Sequence, residues 1–196
     1  MKQINHFFAT CSKGVEDLVL KELELLGISD TKIHTGGVAF DGEILSAYKA
    51  CLWTRVASRI LLQLKEFTIS SDDDLYNEII SVDWSQHFAE YNTLSIDCFS
   101  SHSTVSNSHF ATLRIKDAIV DQFMKSTDER PSIDRENPDI RINVYLSDKQ
   151  CLLYLDLSGD ALHKRGYRHS AGSAPLRETL AASMLYRAKW DSFYEQ

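Results

Sequence analysis

The residues of this chain best equipped for chemistry cluster near its end. The stretch LHKRGYRHSAGSAPLRETLAA, residues 162–182, holds Lys164, Arg165, Arg168 and Arg177 and two histidines, with Glu178 as its one acid. Three of these cations flank Gly166 and Tyr167, which combines positive charge for phosphates with a ring on which a base can stack. A solvated connector is the plainer reading of the same residues. The whole chain carries a formal charge of -7, yet Leu162 to Lys189 has six basic residues against one acid. Attraction to nucleic acid would come from that patch and not from the protein as a whole.

Other positions offer related chemistry. Ser106, Asn107 and Ser108 stand where a helix is expected to begin, so their hydroxyls, the free backbone N–H groups and the dipole can jointly hold a phosphate, or simply cap the helix. Arg135 and Arg141 form a further candidate RNA surface with the loop before Asn107. Arg114 stands three and seven residues from Asp117 and Asp121, the spacing of an internal helix ion pair. Asp72, Asp73 and Asp74 sit where acids favour a helix start, and no metal is expected on them. His102 and His109 flank a serine-rich loop, but no acid is placed to orient either imidazole, so a polar binding loop is expected. No glycine-rich phosphate loop, GxSxG elbow or HExxH occurs. Cys11, Cys51, Cys98 and Cys151 are too far apart to suggest a ligand set and read as reduced core thiols. With no signal peptide and no run of eighteen apolar residues, the expectation is a cytoplasmic protein without a membrane partner.

The elements that must hold these residues fall into two sets. Residues 1–66 read strand, helix, two strands, helix, strand. Ser12 is placed to cap the first helix, Val15, Leu18, Val19, Leu23 and Leu26 give its stripe, and Gly27 ends it. Gly36-Gly37 marks a tight hairpin. A second helix is expected to bury Ile44, Leu45, Tyr48, Cys51 and Leu52. The order βαββαβ predicts a ferredoxin-like sandwich. From residue 67 to 168 the pattern is that of a second α/β unit with a mixed sheet. Leu94, Ile96 and Cys98 alternate inward, and a helix from Asn107 to Lys125 is apolar on two sides. The runs DIRINVYL and CLLYLDLS then pair across the turn SDKQ. Residues 169–196 read as a linker and a helix starting at Pro175. Its Leu176, Leu180 and Met184 expect a partner surface, so a detached or non-natively packed helix is predicted.

The segments WTRVASRILLQL, NSHFATLRIKDAIVDQF, DRENPDIRINVYL, LDLSGDALHKRGYR and APLRETLAASMLYRAKW, in this order, resemble the N-terminal part of the bacterial large-subunit (23S) ribosomal RNA guanine-N2 methyltransferases that carry a THUMP domain. The likeness covers nearly the whole chain. It implies an N-terminal ferredoxin-like domain, a THUMP domain that binds structured RNA, and a following Rossmann-like methyltransferase domain, in cis, that uses S-adenosylmethionine. The DPxCGSGT-type and NPPY-type motifs of that catalytic domain are absent from these 196 residues. The resemblance therefore implies no catalytic or cofactor residue here. It makes the basic stretch the junction that passes RNA to the catalytic part, with Lys164, Arg165, Tyr167 and Arg168 as contacts. A transfer-RNA guanine methyltransferase would share this layout. A protein-interaction module, its acidic first half docking a basic partner, stands as the alternative from another class.

Overall fold

A computed structural model of the chain describes residues 3–101, 108–166 and 174–190. The chain divides into two compact units, residues 1–62 with 160–196, and residues 63–159. No helix among the described residues is long and apolar enough to cross a membrane.

The first unit has the expected order: β1 (Asn5–Thr10), α1 (Glu16–Leu25), β2 (Thr31–His34), β3 (Gly37–Gly42), α2 (Ile44–Trp53) and β4 (Arg59–Thr68). Its strands run β2-β3-β1-β4, each pair antiparallel. Alternation along β1 sends Phe7 and Ala9 inward, where they meet Val38, Phe40, Leu18, Val19 and Leu23. Each large side chain buried in this way contributes roughly 1.5–3 kcal/mol. The turn between β2 and β3 needs glycine twice, for different reasons. Gly36 lies in the left-handed region, which a side chain disfavours. A Cβ on Gly37 would lie 2.5 Å from the Ala9 carbonyl oxygen.

Two expectations for this unit change. Ser12 does not cap α1. The helix begins at Glu16, whose carboxylate accepts hydrogen bonds from Gly14 N (2.7 Å) and Gly36 N (2.9 Å), fastening the helix start to the β2–β3 turn. The face of α2 is also inverted: Ala47 and Ala50 are buried, while Leu45, Tyr48, Leu52 and Trp53 are exposed. Small residues let the helix lie close to the sheet, and the large ones are left outside.

The second unit follows β4 with α3 (Asp72–Ile80), a 3-10 turn (Trp84–Gln86), β5 (Thr93–Ser101), α4 (Ser108–Thr127), β6 (Ser132–Ile133), β7 (Ile140–Ser147) and β8 (Gln150–Asp156). Strand β5 pairs in parallel with β6 and β7, and β7 pairs antiparallel with β8, so the sheet is mixed, as expected. Leu94, Ile142, Val144, Leu146 and Leu153 of the sheet meet Leu75, Ile79, Ile115, Ile119 and Phe123 of the helices. Val120 is buried too, but Leu113 and Met124, expected to be covered, are 39% exposed. At the start of α3, Ser71 and Asp74 form a reciprocal capping box. Asp73 pairs with Arg114 at 2.8 Å, and that guanidinium also lies over the Tyr76 ring. This replaces the expected pairing of Arg114 within its own helix. Asp121 accepts from Tyr76 Oη, and Asp117 pairs with Lys116.

Of the two expected outcomes, detached or non-natively packed, the structure sets aside the first: helix α5 (Glu178–Arg187) packs in the first unit. Its docking is polar, which a search for apolar stripes does not see. Thr179 and Ser183 are buried, the Tyr186 hydroxyl donates to Glu22, and Arg187 forms a two-pronged pair with Asp17 (2.6 and 2.7 Å). Leu176, Leu180 and Met184 stay exposed.

Candidate nucleic-acid interface

A cleft of about 380 Å³ opens in the second unit beside β5. Its walls come from four elements. Strand β5 supplies Ser95 to Cys98, α4 supplies Ser108, His109, Thr112 and Lys116, the segment after β6 supplies Arg135, and β7 supplies Arg141. Ser108, Thr112 and Lys116 recur every four residues and therefore share one face of α4.

The two arginines are held by local hydrogen bonding. Asp134 N donates to the Leu94 carbonyl (3.0 Å), and its side chain accepts from Glu136 N and Asn137 N at 2.9 and 3.0 Å. This Asx turn fixes the segment that carries Arg135. At the start of β7, the Asp139 carboxylate accepts from Thr93 N and Thr93 Oγ1, and those bonds hold it below the usual carboxylate range. Two residues on, Arg141 lines the cleft and donates to the Glu136 carbonyl at 3.4 Å. Neither arginine has an ion-pair partner among the described residues, whereas Lys116 pairs with Asp117 at 2.9 Å. Among the described residues of the lining, Asp97 is the one carboxylate. The cleft thus combines two unpaired guanidiniums, a partly neutralised ammonium and hydroxyls at the start of a long helix, a donor set suited to phosphate oxygens. Burial pushes the Cys98 thiol in its wall up to about 11, which leaves it protonated and inert near neutral pH.

The sequence candidates divide accordingly. Ser108, Arg135 and Arg141 converge on this cleft. Ser106, Asn107, Tyr167 and Arg168 lie outside the described residues. Lys164 is exposed and 3.4 Å from Asp160. Arg165 has a structural assignment: its guanidinium donates to the carbonyls of Leu162 (2.7 Å), Leu52 (3.2 Å) and Thr54 (2.8 Å). The last two satisfy backbone oxygens at the end of α2, where the helix itself leaves carbonyls without partners. Sequence reasoning misses Lys116 and Thr112, although their four-residue spacing from Ser108 is available to find them.

Comparison with known proteins agrees with this architecture. The family described as the RlmL ferredoxin-like domain matches residues 6–61, and the THUMP domain matches residues 70–156. A ribosomal RNA large subunit methyltransferase K/L from Syntrophotalea carbinolica is 47% identical over 184 residues, covering 94% of this chain and 26% of that protein. A predicted N6-adenine-specific DNA methylase from Listeria monocytogenes superposes with a TM-score of 0.82 at 28% identity, over 94% of this chain and 48% of that one. A putative methyltransferase complexed with SAH follows at 0.80 and 29%, over 95% and 49%. The chain spans about a quarter of the length of the curated relatives it matches. With both domain families matched in order, the chain carries the RlmL ferredoxin-like domain and the THUMP domain, and over nearly its whole length it is similar to part of the ribosomal RNA large subunit methyltransferases K/L.

Proposed function

We propose that this chain is the RNA-binding region of an S-adenosylmethionine-dependent 23S ribosomal RNA guanine-N2 methyltransferase, and that it presents structured RNA to a catalytic domain in cis. The observation that carries the reading is the convergence of Ser108, Lys116, Arg135 and Arg141 on one cleft of the THUMP unit. Contacts of that kind fix register and orientation on an RNA backbone without reading its bases. Lys164, Tyr167 and Arg168 are proposed as further contacts from the basic stretch, and Arg165 as the strut that holds it to α2.

The methyl donor is not held here. None of the eight glycines forms a G-x-G pair. The residues present therefore do not fit a loop that lets backbone approach the cofactor. No step of methyl transfer is assigned to these residues, and the chain by itself should be inactive.

Fluorescence anisotropy tests the reading. Hairpins cut from 23S ribosomal RNA should bind more tightly than a plain RNA duplex of equal length, because recognition of RNA generally uses loops and bulges with splayed bases. Tighter binding of transfer RNA would move the reading to a transfer-RNA enzyme, and failure to bind any RNA would remove it.

A further inference from the structure

Trp53 is the last residue of α2, in the stretch WTR, and is 63% exposed. It lines a second cleft of about 340 Å³, wholly within the first unit, with Arg55, Leu162, His163, Arg165 and Glu178. The wall is unusual for a surface depression. It sets an indole beside two guanidiniums and an imidazole, with Glu178 as the opposing acid.

The guanidiniums are held in place by the fold. Arg165 donates to three backbone carbonyls. That engages three of the five N–H groups of an arginine, which fixes its plane and leaves its charge in place. Arg55 donates to Tyr186 Oη at 3.2 Å, and its backbone N–H donates to Glu22. Positive charge is thus fixed at the rim without depending on long, mobile lysines.

We infer that this cleft takes one unpaired nucleotide of a bound RNA, its base stacked on Trp53 and its phosphate facing Arg55 and Arg165. The inference rests on the RNA-binding reading above but concerns a different domain and a different contact. Three observations favour a nucleotide over a protein segment as occupant: the flat aromatic surface, the excess of fixed cations over acid, and a volume at the low end of small-ligand clefts, which are about 300–1,000 Å³. Stacking on an exposed ring tolerates any base, so the contact should favour single-stranded positions and not a particular sequence.

Photocrosslinking tests it. A 23S ribosomal RNA hairpin with 5-bromouridine at its unpaired positions is irradiated with the full chain, and crosslinks are mapped by mass spectrometry after trypsin. The expected result is label on the peptide Ala50–Arg55. Trp53→Leu should weaken hairpin binding by about 5- to 150-fold, the span of one lost stack, with an unchanged salt dependence. Trp53→Phe should retain most of the affinity, which shows that the ring matters. If the hairpin binds but the peptide carries no label and Trp53→Leu binds normally, the inference is overturned, and the exposed α2 face is left as a protein-docking surface. Absence of RNA binding by the unaltered chain would overturn the functional reading first and this inference with it.

Discussion

Replacing Lys116, Arg135 and Arg141 together by alanine should weaken RNA binding and flatten its salt dependence. The expected size follows from the cleft. Each phosphate neutralised by a cation releases condensed counterion, contributing a log–log slope of ~0.7 for single strands to ~0.9 for duplex. Lys116 is already paired with Asp117 at 2.9 Å and is discounted. Arg135 and Arg141 have no ion-pair partner among the described residues, so the predicted loss of slope is about 1.4 to 1.8, twice the single-contact value. The variants should fold, because Arg135 is exposed and Arg141 only half-buried. Anisotropy titrations of one hairpin between about 50 and 200 mM salt give the slope directly. Weaker affinity with an unchanged slope would mean that the cleft touches no phosphates. Unchanged affinity and slope would refute the assignment of the cleft altogether.

Arg165→Ala should act mainly on stability, since it removes three donors from backbone carbonyls, and should lower the salt slope by no more than one phosphate contact, ~0.7 to 0.9. A thermal melt should show a loss of about 1.5–3 kcal/mol, the range for a charged hydrogen-bonding group. Glu22 gives a pH signature. Burial pushes its carboxyl above the ordinary value of 4.5, against donors from Arg55 N, Val56 N and Tyr186 Oη. A raised folded-state pKa means that the native protein holds the proton more tightly, so this contribution is full below pH 4.5 and is lost as pH rises through the folded-state value. Glu22→Gln should flatten that part of the stability profile in denaturant melts. Asp17 has the opposite sign: Arg187 holds its pKa down, so its contribution to the docking of α5 is lost as pH falls through the depressed value. Protection of residues 178–187 against hydrogen exchange, relative to the intrinsic rate at each pH, should fall there, and Arg187→Ala should lower it at neutral pH. Gly37→Ala should cost roughly 1–3 kcal/mol in melting experiments, because the added Cβ meets the Phe8 ring and also the backbone carbonyl of Ala9, which cannot turn away, both at 2.5 Å.

Strand alternation carries most of the fold. The run around Ile142, Val144 and Leu146 buries these alternate side chains together, and a period of two then admits one register, while Gly36-Gly37 marks the hairpin. Helix α2 defeats the same logic, because counting large apolar residues selects the outer face when two alanines set the close approach to the sheet. The α5 docking is hidden for a related reason: Thr179, Ser183, Tyr186 and Arg187 form a polar seam. At the candidate site, Arg135 and Arg141 are readable as a basic pair, but Lys116 joins them only once α4 lies beside β5. Arg165 illustrates the limit most clearly. Its carbonyl partners at Leu52 and Thr54 lie 113 and 111 residues upstream, and no local pattern distinguishes a strut from a phosphate contact.

The most direct test of the central claim is hydrogen-exchange mass spectrometry of the chain with and without a tightly bound 23S ribosomal RNA hairpin. Protection should concentrate at the start of α4, over residues 108–116, and from β6 into β7, over residues 132–141. Protection confined to other segments, with those two exchanging at the free rate, would contradict the placement of the RNA interface in the THUMP cleft.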